Sequence, residues 1–273
     1  MRGPSNRVCF TVLPDQQKRC SGSACWGFPW LMYPLAVPIE WLQSIEEYPT
    51  PLTQRNNMLL LGRRLPSTGI LRRLSLLHFS GDWTPLEKQV FEADMRVIKD
   101  FVSEQEELGL VQEIEPHLRR LPYESSHWDD AIHGYRESER RDWTVANRSV
   151  LDRVSKTAFN GQVMPHVHIL DLTEEGVIKP HVDSVRFCGH TIAGLSLLSD
   201  CVMRLAKVSS KDVAKDTEHR VADVLLPRRS LYIMSHVARY QFTHEVLDQE
   251  QSWFGNSRVV KRRRLSVICR NEP

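Results

Sequence analysis

No apolar run approaches the ~18–20 residues that a membrane-spanning helix needs, so the 273-residue chain offers no transmembrane segment. Cysteine is sparse: Cys9, Cys20 and Cys25 lie toward the amino terminus, and Cys188, Cys201 and Cys269 stand far apart in apolar surroundings. Such spacing supplies no disulfide framework and reads as thiols of a reducing compartment. Bulk positive charge is missing as well. Residues 1–80 carry nine Lys/Arg against four Asp/Glu, but residues 81–273 carry 27 against 30. The larger part is slightly acidic, which argues against nucleic-acid binding through a basic field. Long helices do not alternate with the strand-like segments, which disfavours a parallel α/β sheet.

A local absence is more telling. Met58–Ser80, MLLLGRRLPSTGILRRLSLLHFS, contains no acid, four arginines (Arg63, Arg64, Arg72 and Arg73), many leucines and several hydroxyls. That is the composition of a mitochondrial transit peptide, and its arginine pairs interrupt the apolar core a secretory signal would need. A basic linker is the alternative. A transit peptide opens a chain, so Met58 is the expected physiological start and residues 1–57 an upstream extension. Pro29, Pro34 and Pro38 break the one apolar run there, and disorder is expected. The expected organisation is an extension over 1–57, a transit peptide over 58–81 and a folded domain over 82–273.

Within the domain, residues 85–96 read as weakly helical and are followed by a short apolar run to Val102. Ser103 and Glu106 form a capping-box pattern ahead of Leu108, Val111, Ile114 and Leu118, predicting a helix that ends near Arg120. A second helix is predicted over 145–158, with Val145, Val150, Leu151, Val154 and Ala158 on its apolar face. Beyond residue 163 the period changes to two. Strands are predicted at 164–172, 177–182, 191–198, 201–207, 221–226, 230–235, 238–246 and 263–270, with turns at Gly176, Gly189, Pro227 and Gly255 and a polar loop over 208–220. Eight short strands with bracing helices predict a mainly β, α+β domain of jelly-roll type.

The stretch IKPHVDS puts His181 and Asp183 two apart, on one face of a strand. His244 arrives later in QFTHE. Two imidazoles and a carboxylate make the facial triad that holds Fe(II) with positions left open. In RRLSVICR, Arg264, Ser266, Ile268 and Arg270 share one face while Leu265, Val267 and Cys269 share the other. Two arginines directed into a core require an anion, because an unpaired buried charge is expensive. Triad and arginines together suggest 2-oxoglutarate, which chelates the metal at one end and pairs with arginine at the other. The KRRR run, Lys261–Arg264, otherwise reads as a solvated strand entrance with Arg264 its one inward member and Arg263 directed outward and exposed; a phosphate contact is the alternative. His127 and Trp128 read as core anchors or a stacking platform, and His133 beside Gly134 carries no clear signal.

The ordered segments HWDDAIHG, HILDLTEEGVIKPHVDSVRFCG, TIAGLSLLS, SLYIMS, ARYQFTHE and RRLSVICR resemble the AlkB family of Fe(II)- and 2-oxoglutarate-dependent dioxygenases, over about residues 96–270. The resemblance implies a double-stranded β-helix, with His181, Asp183 and His244 as metal ligands. It implies that Arg264 pairs with the distal carboxylate of 2-oxoglutarate, that the Tyr232 hydroxyl assists, and that Arg270 lines the same pocket. His168 matches a polar position near the co-substrate, or is a structural histidine bonding Tyr232 or backbone. Nucleic-acid-repairing members carry Asn-x-Tyr where this chain has His168-Ile169-Leu170, and an asparagine where it has Ser266. Classical base recognition is therefore not expected, and double-stranded DNA is not an expected partner. The implied activity is oxidative decarboxylation of 2-oxoglutarate with O2, coupled to hydroxylation or demethylation of a protein or mitochondrial RNA. A monomer in the mitochondrial matrix is expected, linked through the family to fatty-acid metabolism and regulated necrosis. The competing reading is an interaction module that keeps metal and 2-oxoglutarate as structural ligands.

Overall fold

The computed structural model describes residues 36–37, 75–127, 130–208 and 220–273. Residues 58–74 of the basic stretch, the three amino-terminal cysteines, Trp128 and residues 209–219 of the polar segment lie outside the described residues. The described elements begin with β1 (Ala36–Val37), β2 (Leu77–Gly81), α1 (Pro85–Asp94), β3 (Met95–Ile98), α2 (Glu104–Leu118), β4 (Ile132–Arg140) and α3 (Val145–Phe159). Then come β5 (Val167–Asp183), β6 (Thr191–Leu197), β7 (Cys201–Lys207), β8 (Arg220–Leu226), β9 (Ser230–Ser235) and α4 (His236–Tyr240). The chain closes with β10 (Phe242–Val246), β11 (Trp253–Phe254), β12 (Ser257–Arg258) and β13 (Arg264–Arg270).

One antiparallel sheet runs β2-β8-β7-β10-β5-β13-β6-β9-β3, and β1 and β4 also pair with β5. It curls until β8 and β9, near opposite ends of that path, meet again. This is the expected rolled, mainly β architecture. Side-chain alternation divides it into two cores. The inner face gathers Leu170, Leu172, Ile192, Met203, Leu205, Val224, Tyr232, Met234 and Ile268. The outer face, through Ile169, Leu195, Leu197, Ile233, Leu265 and Val267, packs on Leu110, Ile114 and Leu118 of α2 and Val150, Leu151 and Val154 of α3. Each fully buried aliphatic side chain contributes about 1.5–3 kcal/mol, so the helices seal the sheet's back.

Local signals explain the helices. Ser103 accepts from the Glu106 amide at 3.1 Å and Glu106 returns to the Ser103 amide at 2.8 Å, the predicted capping box. The buried stripe differs from the predicted one: Leu108 is exposed, whereas Leu110 and Glu107 are buried. Glu107 tolerates this because Arg228 pairs with it at 2.7 Å and the Leu198 amide donates to it.

The predicted organisation needs correction at four points. The segments 164–172 and 177–182 form one strand, β5, that passes through Gly176 without turning. β4 pairs along both parts, with a register shift between His133 and Tyr135. A side chain at Gly176 would press on the Gly134 carbonyl, so the two glycines mark a bulge where backbones touch. Residues 238–240 belong to helix α4, which starts when the Val237 amide bonds the Asp94 carboxylate at 3.0 Å. Strands β3 and β4 were not predicted; IHGYRESER in β4 has neither apolar alternation nor β-branched enrichment beyond Ile132. Finally, β2 pairs with β8, so the last five residues of the stretch assigned to a transit peptide are a sheet strand.

Candidate metal centre

β5 and β10 pair antiparallel with His181 opposite His244, and Asp183 follows two residues on, on the His181 face. One ligand atom from each of His181, Asp183 and His244 lies within 4.8 Å of the others, and all three residues are buried. The rings of His181 and His244 are 4.2 Å apart between centroids. The His181 Nδ1 lies 2.8 Å from the Lys179 carbonyl, which can only accept, so Nδ1 carries the proton. Nε2, 3.5 Å from Asp183 Oδ1, is then the basic nitrogen. Burial pushes His244 down to about 3, with the neighbouring His181 acting in the same direction. Burial alone would raise the Asp183 carboxyl, but the positive charge of Arg270 and its position beside the two imidazoles hold it well below the usual carboxylate range. At neutral pH His244 is an uncharged imidazole beside an ionised carboxylate, the protonation states a divalent cation requires.

A polar pocket lies on the same inner face. Arg264, 2% exposed, donates through Nε to Ser196 Oγ at 3.1 Å. Its Nη2, together with Ser230 Oγ and Ser266 Oγ, is buried and has no hydrogen-bond partner among the described residues. A guanidinium left half-satisfied beside two idle hydroxyls is set for an anion. Tyr232 stands opposite Gly194 across β9 and β6, and a Cβ at Gly194 would fall 2.5–2.7 Å from the Tyr232 ring and hydroxyl. Gly194 thus makes room for the ring. Burial pushes the Tyr232 hydroxyl up to about 12, against the lowering effect of Arg264, so it remains a donor.

His168 is brought near this pocket, but not through Tyr232 or backbone. Arg270 Nη2 donates to His168 Nδ1 at 3.2 Å, and His168 Nε2 then donates to Glu137 Oε2 at 3.0 Å. Glu137, on the unpredicted strand β4, is a site-supporting residue that sequence reasoning missed. Ser196 was also missed, although the small residues Gly194 and Ser196 on one face of a strand signal space left for a ligand.

The KRRR run needs two corrections. Lys261 is 1% exposed and its Nζ bonds the Gly176 carbonyl, so it is no solvated entrance. Arg263 does point away from the pocket, but into an ion network. It meets Asp171 at 2.9 Å and Glu115 at 2.7 Å, where Arg136 and the Tyr123 hydroxyl also converge on Asp171. Cys188, Cys201 and Cys269 are buried free thiols, as expected. His127 is buried against Tyr135, in keeping with a core role.

No protein-family model matches the chain. It is 51% identical over 175 residues to the alpha-ketoglutarate-dependent dioxygenase alkB homolog 7, mitochondrial, of Bos taurus, which covers 63% of this chain and 76% of that protein. The same-named protein of Mus musculus is 49% identical over the same length and shares. Among solved structures, OsALKBH1 aligns with TM-score 0.46 and 11% identity, covering 65% of this chain and 98% of that one. A Pseudomonas putida prolyl-4-hydroxylase aligns with TM-score 0.45 and 12% identity, over 66% and 93%.

Proposed function

The chain belongs to the alkB homolog 7 family of alpha-ketoglutarate (2-oxoglutarate)-dependent dioxygenases, and from that premise we propose that His181, Asp183 and His244 hold Fe(II) while Arg264 holds 2-oxoglutarate. The observation that carries this is the pairing of a compact His-Asp-His cluster with a buried, half-satisfied arginine on one sheet face. Bound there, Fe(II), 2-oxoglutarate and O2 supply the oxidative decarboxylation and the hydroxylation coupled to it. The chain's own residues set the conditions. The Lys179 carbonyl fixes the His181 tautomer, burial keeps His244 neutral, and Asp183 stays ionised. The Arg264 fork receives the distal carboxylate with Ser230, Ser266 and Tyr232 around it, while Glu137 and His168 hold Arg270 beside the metal ligands.

The prime substrate is a protein side chain on this reading, hydroxylated or N-demethylated; the acidic balance of residues 81–273 makes a phosphate backbone a poor fit. A methylated mitochondrial RNA is the second reading, and the link to fatty-acid metabolism and regulated necrosis rests on family resemblance alone. With Fe(II) supplied, the protein should convert 2-oxoglutarate to succinate in air and not under argon. Absence of succinate in air, with tight 2-oxoglutarate binding retained, would instead favour the interaction module.

Both curated relatives are named mitochondrial, and the acid-free arginine-rich stretch supports import of this chain, to the matrix. A chain beginning at Met58 should enter mitochondria, and replacing Arg63, Arg64, Arg72 and Arg73 by Gln should leave it in the cytosol. Matrix accumulation of the four-Gln chain would show that the signal lies elsewhere.

A further inference from the structure

We propose that Arg239 is a positioning residue for Asp183, holding the loop that follows this ligand before any metal binds; this rests on the metal reading above. Arg239 lies in α4 and is 0% exposed. Among the described residues no carboxylate pairs with it. Its guanidinium is instead directed at the 183–189 segment: Nε donates to the Gly189 carbonyl at 2.9 Å, and Nη1 to the carbonyl of Asp183 itself at 3.1 Å. Nη2 reaches the Cys188 carbonyl at 3.2 Å, the Ser184 carbonyl at 3.4 Å and Cys188 Sγ at 3.1 Å. The Tyr240 ring lies against the guanidinium, 4.8 Å from its centroid.

A buried cation without a counter-ion is expensive, and only a ring of well-directed acceptors makes it tolerable. Guanidinium suits this arrangement because its donors are fixed in a plane and point in several directions at once. The loop is tied from its other side too. The Gly189 amide donates to the Asn271 carbonyl at 2.9 Å, just beyond Arg270, and a side chain at Gly189 would collide with the Glu272 carbonyl. Arg239 therefore grips from inside what the chain end grips from outside. The helix carrying Arg239 leads directly into β10 and His244, so one element sets the relative placement of ligands from two strands. Pre-set donors bind a metal more tightly than donors that must be gathered.

The test is Arg239→Lys, which keeps the charge but cannot reach all five acceptors. Mn(II) titration should show the dissociation constant raised about 10–100-fold, the range typical of groups that orient metal ligands. In the metal-free variant, amide hydrogen exchange at 184–190 should quicken more than about tenfold while β7 keeps its rates. Unchanged affinity and exchange would overturn the proposal, as would faster exchange spread evenly over the sheet, which marks a merely structural role. If the variant does not fold, the unaltered metal-free chain decides: its Cys188 and Gly189 amides must be protected to the level of β7, and free exchange there refutes the clamp. Failure of the unaltered chain to bind Mn(II) would count against the metal reading, leaving the exchange measurement to judge the clamp separately.

Discussion

Asp183→Ala and His181→Ala should each reduce succinate formation from 2-oxoglutarate by far more than the ~10–100-fold typical of losing a group that merely orients a ligand, and the domain should stay folded. The reasoning starts from the sheet. β5 is held by β13 over residues 168–172, by β10 at Ile178 and His181, and by β4 between Val167 and Ile178, and none of those pairings uses the side chains of His181 or Asp183. The Arg239 contact to residue 183 is to its carbonyl and survives truncation of the side chain. What disappears is one of three donors, and the two that remain cannot hold Fe(II) in the open geometry the reaction requires. Thermal unfolding supplies an independent readout. At a hundred times its dissociation constant, Mn(II) should stabilise the parent by about 2.7 kcal/mol, and that gain should vanish in both variants. Parental turnover by either variant under saturating iron would remove the triad from the mechanism.

The parts of this site legible in the sequence are those with strict periodicity. His181 and Asp183 at i and i+2, and the alternation Arg264-x-Ser266-x-Ile268-x-Arg270, fix faces by strand geometry alone, and the inner and outer cores divide β13 in that way. The Ser103–Glu106 capping box was equally readable, whereas the caps at Thr84 and Thr144, which also accept from an amide three residues on, were not read from the sequence. What stayed hidden depends on partners far along the chain. Glu137 gains its meaning from His168 across β4 and β5, and Arg239 from carbonyls on the loop after Asp183. Lys261 looked solvated because neighbouring charges suggested a surface, whereas burial pushes its ammonium pKa down and the Gly176 carbonyl accepts a hydrogen bond from its Nζ. A run of charges records composition; which of them enters the interior is decided by strand register.

That register makes Arg264 and Arg263 opposite cases, and their lysine substitutions should separate cleanly. Arg264→Lys keeps the charge but loses the fork and the Nε bond to Ser196. Removing a charge-assisted hydrogen bond from a desolvated pocket costs roughly 2–5 kcal/mol, so the 2-oxoglutarate dissociation constant should rise at least about tenfold. Arg263→Lys should leave that constant within about twofold, since its guanidinium faces Asp171 and Glu115 on the other side of β13. Its effect belongs to stability. Asp171 is 0% exposed and shared among Arg263, Arg136 and Tyr123. Fully unpairing such a carboxylate costs about 3–5 kcal/mol. Arg136 and Tyr123 remain in the variant, so the destabilisation should be about 1–3 kcal/mol, read as a lower unfolding midpoint. Titrating 2-oxoglutarate into Mn(II)-loaded protein without oxygen, beside a denaturant melt of each variant, measures both quantities. Should Arg263→Lys weaken 2-oxoglutarate binding more than Arg264→Lys, the anion would lie on the helix-facing side of β13, and the idle hydroxyls of Ser230 and Ser266 would need another occupant.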